Sequence, residues 1–199
     1  MRRRRPPSVA QGEDLAADAF WRYASGVNLV VVDVEADGPI PGEYSMVCFG
    51  AVLVEPSLQK TFYGQVRPIT DRYLEEALQV SGFTRPQHLE FDDPGDVMRE
   101  FDRWLAAVAK GRAVFISDNL AFDWQFINYY FHRFTGRNPF GFSGRRIGDL
   151  YCGLVRDMTK ASEWKQFRRT RHTHDPVDDA KGNAEALLHF DTLGLKMPA

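Results

Sequence analysis

Cysteine is scarce in this chain. Cys48 and Cys152 are the only two among 199 residues, and they show no metal or redox spacing. That excludes a disulfide framework and suits reduced thiols in a cytoplasmic protein. Long apolar runs are missing too, and no apolar segment follows the N-terminal arginines, so "MRRRRPPSVA" is not a signal peptide and no membrane partner is expected. An excess of charge of one sign is also lacking. Twenty-five basic residues against 27 acidic ones leave a formal charge of −2, which excludes a globally basic nucleic-acid coat protein. Any polyanionic partner must be held by local patches or by metal. Repeats, low-complexity tracts and interdomain linkers are absent. What is present is an apolar content of 44%, enough for the core of one domain. Residues 1–12 are expected to be a disordered basic arm and residues 13–199 a single domain.

Along the chain, "EDLAADAFWRYASG" reads as an opening helix ending at Gly26. Three strand-like runs follow, "LVVVDVE", "SMVCFGAVLVE" and "KTFYGQVRP", joined by short turns as in an antiparallel meander. "DRYLEEALQVSG" and "DDPGDVMREFDRWLAAVAKG" are helical, the second opened by Asp and Pro and closed by Gly111. "AVFIS" is a short buried strand, followed by the aromatic helix "AFDWQFINYYFHRFTG". "RRIGDL" reads as a last short strand before the helix "LYCGLVRDM", and the basic loop "WKQFRRTRHTH" leads to the final helix "PVDDAKGNAEALLHFDTLG". Early strands followed by strand–helix alternation predict an α/β fold, a mixed sheet flanked by helices on both faces.

Several acids sit where apolar residues are expected. In "NLVVVDVEADGP", Asp33 and Glu35 share one face of a buried strand, with Val34 behind them. Two carboxylates there repel each other and lose hydration, so they need a partner, and a divalent metal suits best. In the aromatic helix, Gln125, Asn128 and His132 form the solvent stripe, while Asp123 falls with Ile127, Tyr130 and Phe134 on the inward side. Asp123 is also placed to serve simply as a helix-start acid beside the dipole. In the final helix, Asp178 joins the polar stripe of Lys181, Glu185 and His189, whereas Asp179 falls with Asn183, Ala186 and Phe190. Asp179 is therefore the inward acid. His174, five residues earlier, is either an ordinary loop residue or a group aimed at that acid.

The pattern D-x-E, then F-D, then H-x4-D, carried by "VVDVEADG", "DNLAFD" and "HDPVDDA" with "FGAVLV" as second strand, resembles the DEDDh 3′–5′ exonucleases of the DnaQ-like superfamily, which includes RNase T and oligoribonuclease. The likeness spans residues 28 to about 190. It implies an RNase H-like fold with a mixed five-stranded sheet, and hydrolysis of single-stranded RNA or DNA from 3′ ends to nucleoside 5′-monophosphates. Carried over residue by residue, it makes Asp33, Glu35, Asp123 and Asp179 ligands of two divalent ions and His174 the general base. Hard carboxylate oxygens suit Mg²⁺ or Mn²⁺, and two such ions can clamp an in-line displacement at phosphorus. The chain departs from many relatives at Asp118-Asn119, at Cys48 and at Ala36-Asp37, none of which removes a catalytic group.

For substrate, the loop offers Lys165, Arg168, Arg169 and Arg171 as phosphate-holding cations, set against a merely solvated basic loop. Tyr44, Phe140 and Phe142 are candidate stacking partners for bases, set against core roles. Two other functions compete: a silent nucleic-acid- or protein-binding module on the same fold, and a hydrolase of very short oligonucleotides only, for which a homodimer would help close the pocket.

Overall fold

The computed structural model describes residues 26–198; the basic arm and the opening helix expected before Gly26 lie outside the described residues. Strands β1 (Val27–Ala36), β2 (Met46–Leu53) and β3 (Thr61–Gln65) come first. Helices α1 (Glu75–Val80), α2 (Arg85–Leu89) and α3 (Pro94–Val108) follow. Next are β4 (Arg112–Ser117), α4 (Leu120–Thr135), β5 (Gly144–Arg146) and α5 (Ile147–Val155). Two 3₁₀ turns, Met158–Lys160 and Glu163–Phe167, lead to the long helix α6 (Pro176–Thr192).

The five strands form one sheet in the order β3-β2-β1-β4-β5. β1, β2 and β3 pair antiparallel as the expected meander, while β4 and β5 add parallel to β1. β1 is thus central, and its alternation divides the core. Val30, Val32 and Val34 join Phe101 of α3 and Phe126, Ile127 and Tyr130 of α4 on one face. Leu29 and Val31 join Tyr151 of α5 and Ala180, Ala184 and Leu187 of α6 on the other. Asp33 and Glu35 continue the second series, so the period-2 rule sends both toward α6.

Several boundaries differ from the expectation: the helix expected over "DRYLEEALQVSG" covers only Glu75–Val80, and α5 stops at Val155, short of Met158. α2 appears where no helix was expected; a reciprocal Thr84–Gln87 capping box and Pro86 in its first turn explain it. β5 stops at Arg146, so Ile147 and Gly148 already belong to α5. The basic loop begins as a 3₁₀ turn that buries Trp164. The start signal of α3 holds: Asp93 caps it by accepting from Gly95 N and Asp96 N, and Pro94 fills its first turn. No helix among the described residues is long and apolar enough to cross a membrane.

Candidate active site

Two backbone features bring the acids together. Asp33 lies opposite Gly50 in the β1–β2 register. A Cβ on Gly50 would stand 2.4 Å from the carbonyl of Pro176 and 2.5 Å from the amide of Val177. Only glycine lets the start of α6 rest on the sheet there, and that contact carries Asp179 to Asp33. On the other edge, β1 outruns β4, whose last pair is Val31 with Ile116. Beyond that pair, Val34 N donates to Asp123 Oδ1 at 3.1 Å. The first turn of α4 therefore caps an amide that β4 no longer reaches.

Asp123 and Asp179 are almost fully buried, as helical periodicity requires, and Asp178 is exposed. Desolvation pushes the Asp33 carboxyl well above its ordinary range, and the neighbouring charges of Asp123, Glu35 and Asp179 add to it. Burial likewise raises Asp123 to about 8. Glu35 rises for the same reason, partly offset by His174. Asp123 Oδ2 is buried and accepts no hydrogen bond among the described residues. Four carboxylates from three elements, crowded together and largely buried from solvent, fit an oxygen-ligated divalent metal.

Asp179 organises the loop before it. Its Oδ1 accepts from Thr173 N at 3.1 Å and Arg168 Nη2 at 2.8 Å, and its Oδ2 accepts from His174 N at 3.0 Å. His172 Nδ1 lies 2.7 Å from the same Oδ2, and His174 Nδ1 lies 3.4 Å from Glu35 Oε1. His174 takes φ = 61°, a left-handed turn that reverses the chain just before Asp175 caps α6. Both histidines are about half exposed, and potential ligand atoms of His172, His174 and Asp179 lie within 4.8 Å of one another.

The expected substrate contacts divide. Arg169 and Arg171 are exposed as the loop reading requires. Arg168 is not: its side chain turns inward onto Asp179, because its charge is better compensated by a buried carboxylate than by solvent. Lys165 pairs with Asp118 at 2.7 Å instead of standing free. Tyr44 is half-buried, its ring laid on Gly38 with the Arg72 guanidinium 5.1 Å from the ring centroid. Phe140 belongs to the core, which corrects its reading as a stacking residue, whereas Phe142 is 92% exposed. Both thiols are buried, and burial pushes Cys48, which faces Glu35 across the β1–β2 ladder, up to about 12.

One cluster escaped the sequence reading. Asp37 is fully buried; Oδ1 accepts from Ser45 N, and Oδ2 from Arg85 Nη1 at 2.9 Å. Arg85 Nη2 also donates to Thr70 O, and His88 Nε2 meets Met46 O at 3.3 Å. Burial raises Asp37 to about 6 and lowers His88 to about 4. The group ties the loop after β1 to α2, so Asp37 supports that loop's shape. Its only signal in sequence was an acid at an apolar turn.

No family model matches the chain. It is 39% identical over 176 residues to the 3′–5′ DNA exonuclease Cap18 of Escherichia coli, covering 84% of this chain and 93% of that protein. Among solved structures it resembles the nuclease domain of 3′hExo, a DEDDh family member, bound to rAMP, with TM-score 0.67 at 18% identity over 84% of this chain and 92% of that one. It also resembles a zinc-bound E. coli exonuclease I–single-stranded DNA complex, with TM-score 0.66 at 15% identity over 85% of this chain and 41% of that one. With a named exonuclease matched over nearly its whole length, this chain belongs to the 3′–5′ exonucleases, on the fold that a DEDDh member shares.

Proposed function

We propose that the enzyme is a two-metal exonuclease acting on single-stranded DNA, with Asp33, Glu35, Asp123 and Asp179 as metal ligands and His174 as general base. The observation that carries this is the meeting of four carboxylates from β1, α4 and α6 beside two half-exposed histidines. Two ions, Mg²⁺ or Mn²⁺, would supply charge neutralisation for displacement at phosphorus. His174 has Nδ1 toward Glu35, which leaves Nε2 to take a proton from the attacking water. Oxygen of that water joins phosphorus, and the bond from phosphorus to the 3′-oxygen of the penultimate nucleotide breaks. The products are a nucleoside 5′-monophosphate and a strand with a new 3′-hydroxyl. Exposed Arg169 and Arg171 hold phosphates of the incoming strand.

The preference for DNA is supported by the 39% identical relative, a named DNA exonuclease, and the single-stranded substrate by the exonuclease I complexes with dT13 and dA16. The test is incubation of 5′-labelled single strands of DNA and RNA with Mn²⁺ or with chelator. Stepwise shortening from the 3′ end, faster on DNA and abolished by chelator, is expected. Release from the 5′ end, or full activity in chelator, would overturn it.

A further inference from the structure

Arg168 is turned away from solvent. It follows the second 3₁₀ turn, and its side chain is only 11% exposed while it donates to Asp179 Oδ1 at 2.8 Å. The guanidinium lies against the backbone of α6: a Cβ on Gly182 would stand 2.6 Å from Nε and 2.8 Å from Nη2. A glycine inside a helix costs about 1 kcal/mol relative to alanine. No left-handed φ calls for one at Gly182, whereas the close approach of the arginine and of the Thr170 carbonyl oxygen, 2.9 Å from that Cβ, does. The Arg168 Nε is buried and donates to nothing among the described residues. This arginine has exchanged its hydration for a place beside the carboxylates.

We propose that Arg168 is a resident counter-cation of the carboxylate cluster, seated by Gly182, whose fixed charge sets how tightly the acids bind divalent metal. The idea rests on the reading of those acids as metal ligands. Asp179 has two side-chain neighbours that can carry positive charge, the donor Arg168 and the ring of His172, and they differ in freedom. His172 is 56% exposed and can swing away from Oδ2. Arg168 is wedged between α6 and its own loop, so it stays on Oδ1. A guanidinium that stays repels an incoming divalent cation while keeping Asp179 compensated and aimed. Arginine and metal are therefore antagonistic: removing one strengthens the site's hold on the other.

Three variants test this: Arg168→Gln removes the charge, Arg168→Lys keeps it, and Gly182→Ala pushes on the guanidinium and the Thr170 carbonyl without removing the charge. Mn²⁺ is titrated calorimetrically into chelator-stripped full-length protein, and melting is followed with and without Mn²⁺. Arg168→Gln should melt lower than wild type in chelator, bind Mn²⁺ about tenfold more tightly, and gain more in melting temperature on adding it. Gly182→Ala should shift Mn²⁺ affinity the same way, and Arg168→Lys should stay within about threefold of wild type. Unchanged or weaker Mn²⁺ binding by Arg168→Gln and Gly182→Ala, with normal wild-type binding, would overturn the counter-cation alone. A wild-type protein that binds no Mn²⁺ would remove the metal site and this inference with it.

Discussion

His172 and His174 are two residues apart with ring centroids 4.4 Å apart, yet they hold different acids, Asp179 and Glu35. Their substitution should separate sharply. His174→Asn keeps a residue that tolerates the left-handed turn at φ = 61° while removing the proposed base. Its kcat should fall by about 10²- to 10⁴-fold with Mn²⁺ binding retained. His172→Ala should stay within about threefold of wild type, since its ring only covers an acceptor that metal can use. A dead His172→Ala with an active His174→Asn would place the base two residues earlier. At this scale the inward acids were legible because periodicity depends only on spacing: Asp179 is buried and its neighbour Asp178 is not. Arg168 was not legible. Whether an arginine faces solvent or a carboxylate depends on a glycine fourteen residues on, in a helix that no local signal places against it.

At the scale of elements, the joint between β2 and the start of α6 governs the site. Gly50→Val would put side-chain carbon into the backbone of Pro176 and Val177. Stability should fall by about 3 kcal/mol, measurable by denaturant titration, and kcat should stay low at saturating metal because Asp179 moves with the helix. The loop before α6 gives a second prediction. Charge reversal of exposed Arg169 and Arg171 to Glu should weaken long single strands and flatten the salt dependence of binding by about 0.7 per lost phosphate contact. A dinucleotide should lose much less, so equal losses on both substrates would count against strand contacts by these residues. The meander and α3 were readable from alternation and from Asp93-Pro94. The place of α6 was not, although Gly50 inside a valine-rich strand was the hint that another backbone comes close.

Taken as a whole molecule, the chain stores repulsion in one place, and this makes its stability pH-dependent in an unusual direction. Asp33, Glu35 and Asp123 have pKa values raised by folding, Asp123 to about 8, and Asp37 is raised to about 6. A carboxyl whose folded pKa exceeds its unfolded value adds stability that is complete below the unfolded value and is lost as pH rises through the folded one. In chelator, the melting temperature should therefore fall from about pH 4 to about pH 8; saturating Mn²⁺, if held by the ionised acids as proposed, should shrink or reverse that fall. A melting temperature equally flat in both buffers would mean that the acids are not strained together. Asp33→Asn should abolish cleavage yet raise melting in chelator, the mark of a residue kept for chemistry. The fold class was legible because the division of β1 into two apolar faces needs only alternation. The Asp37–Arg85 tie was not, since it joins segments 48 residues apart.

The burial of both thiols has a practical consequence. Cys48 and Cys152 are the only sulfhydryls in the sequence, and neither is open to an alkylating reagent while the chain is folded. A single Phe142→Cys substitution, at a side chain 92% exposed and outside the core, would give the folded enzyme one reactive handle. A dye placed there could report strand capture in real time, with no native cysteine to mutate first.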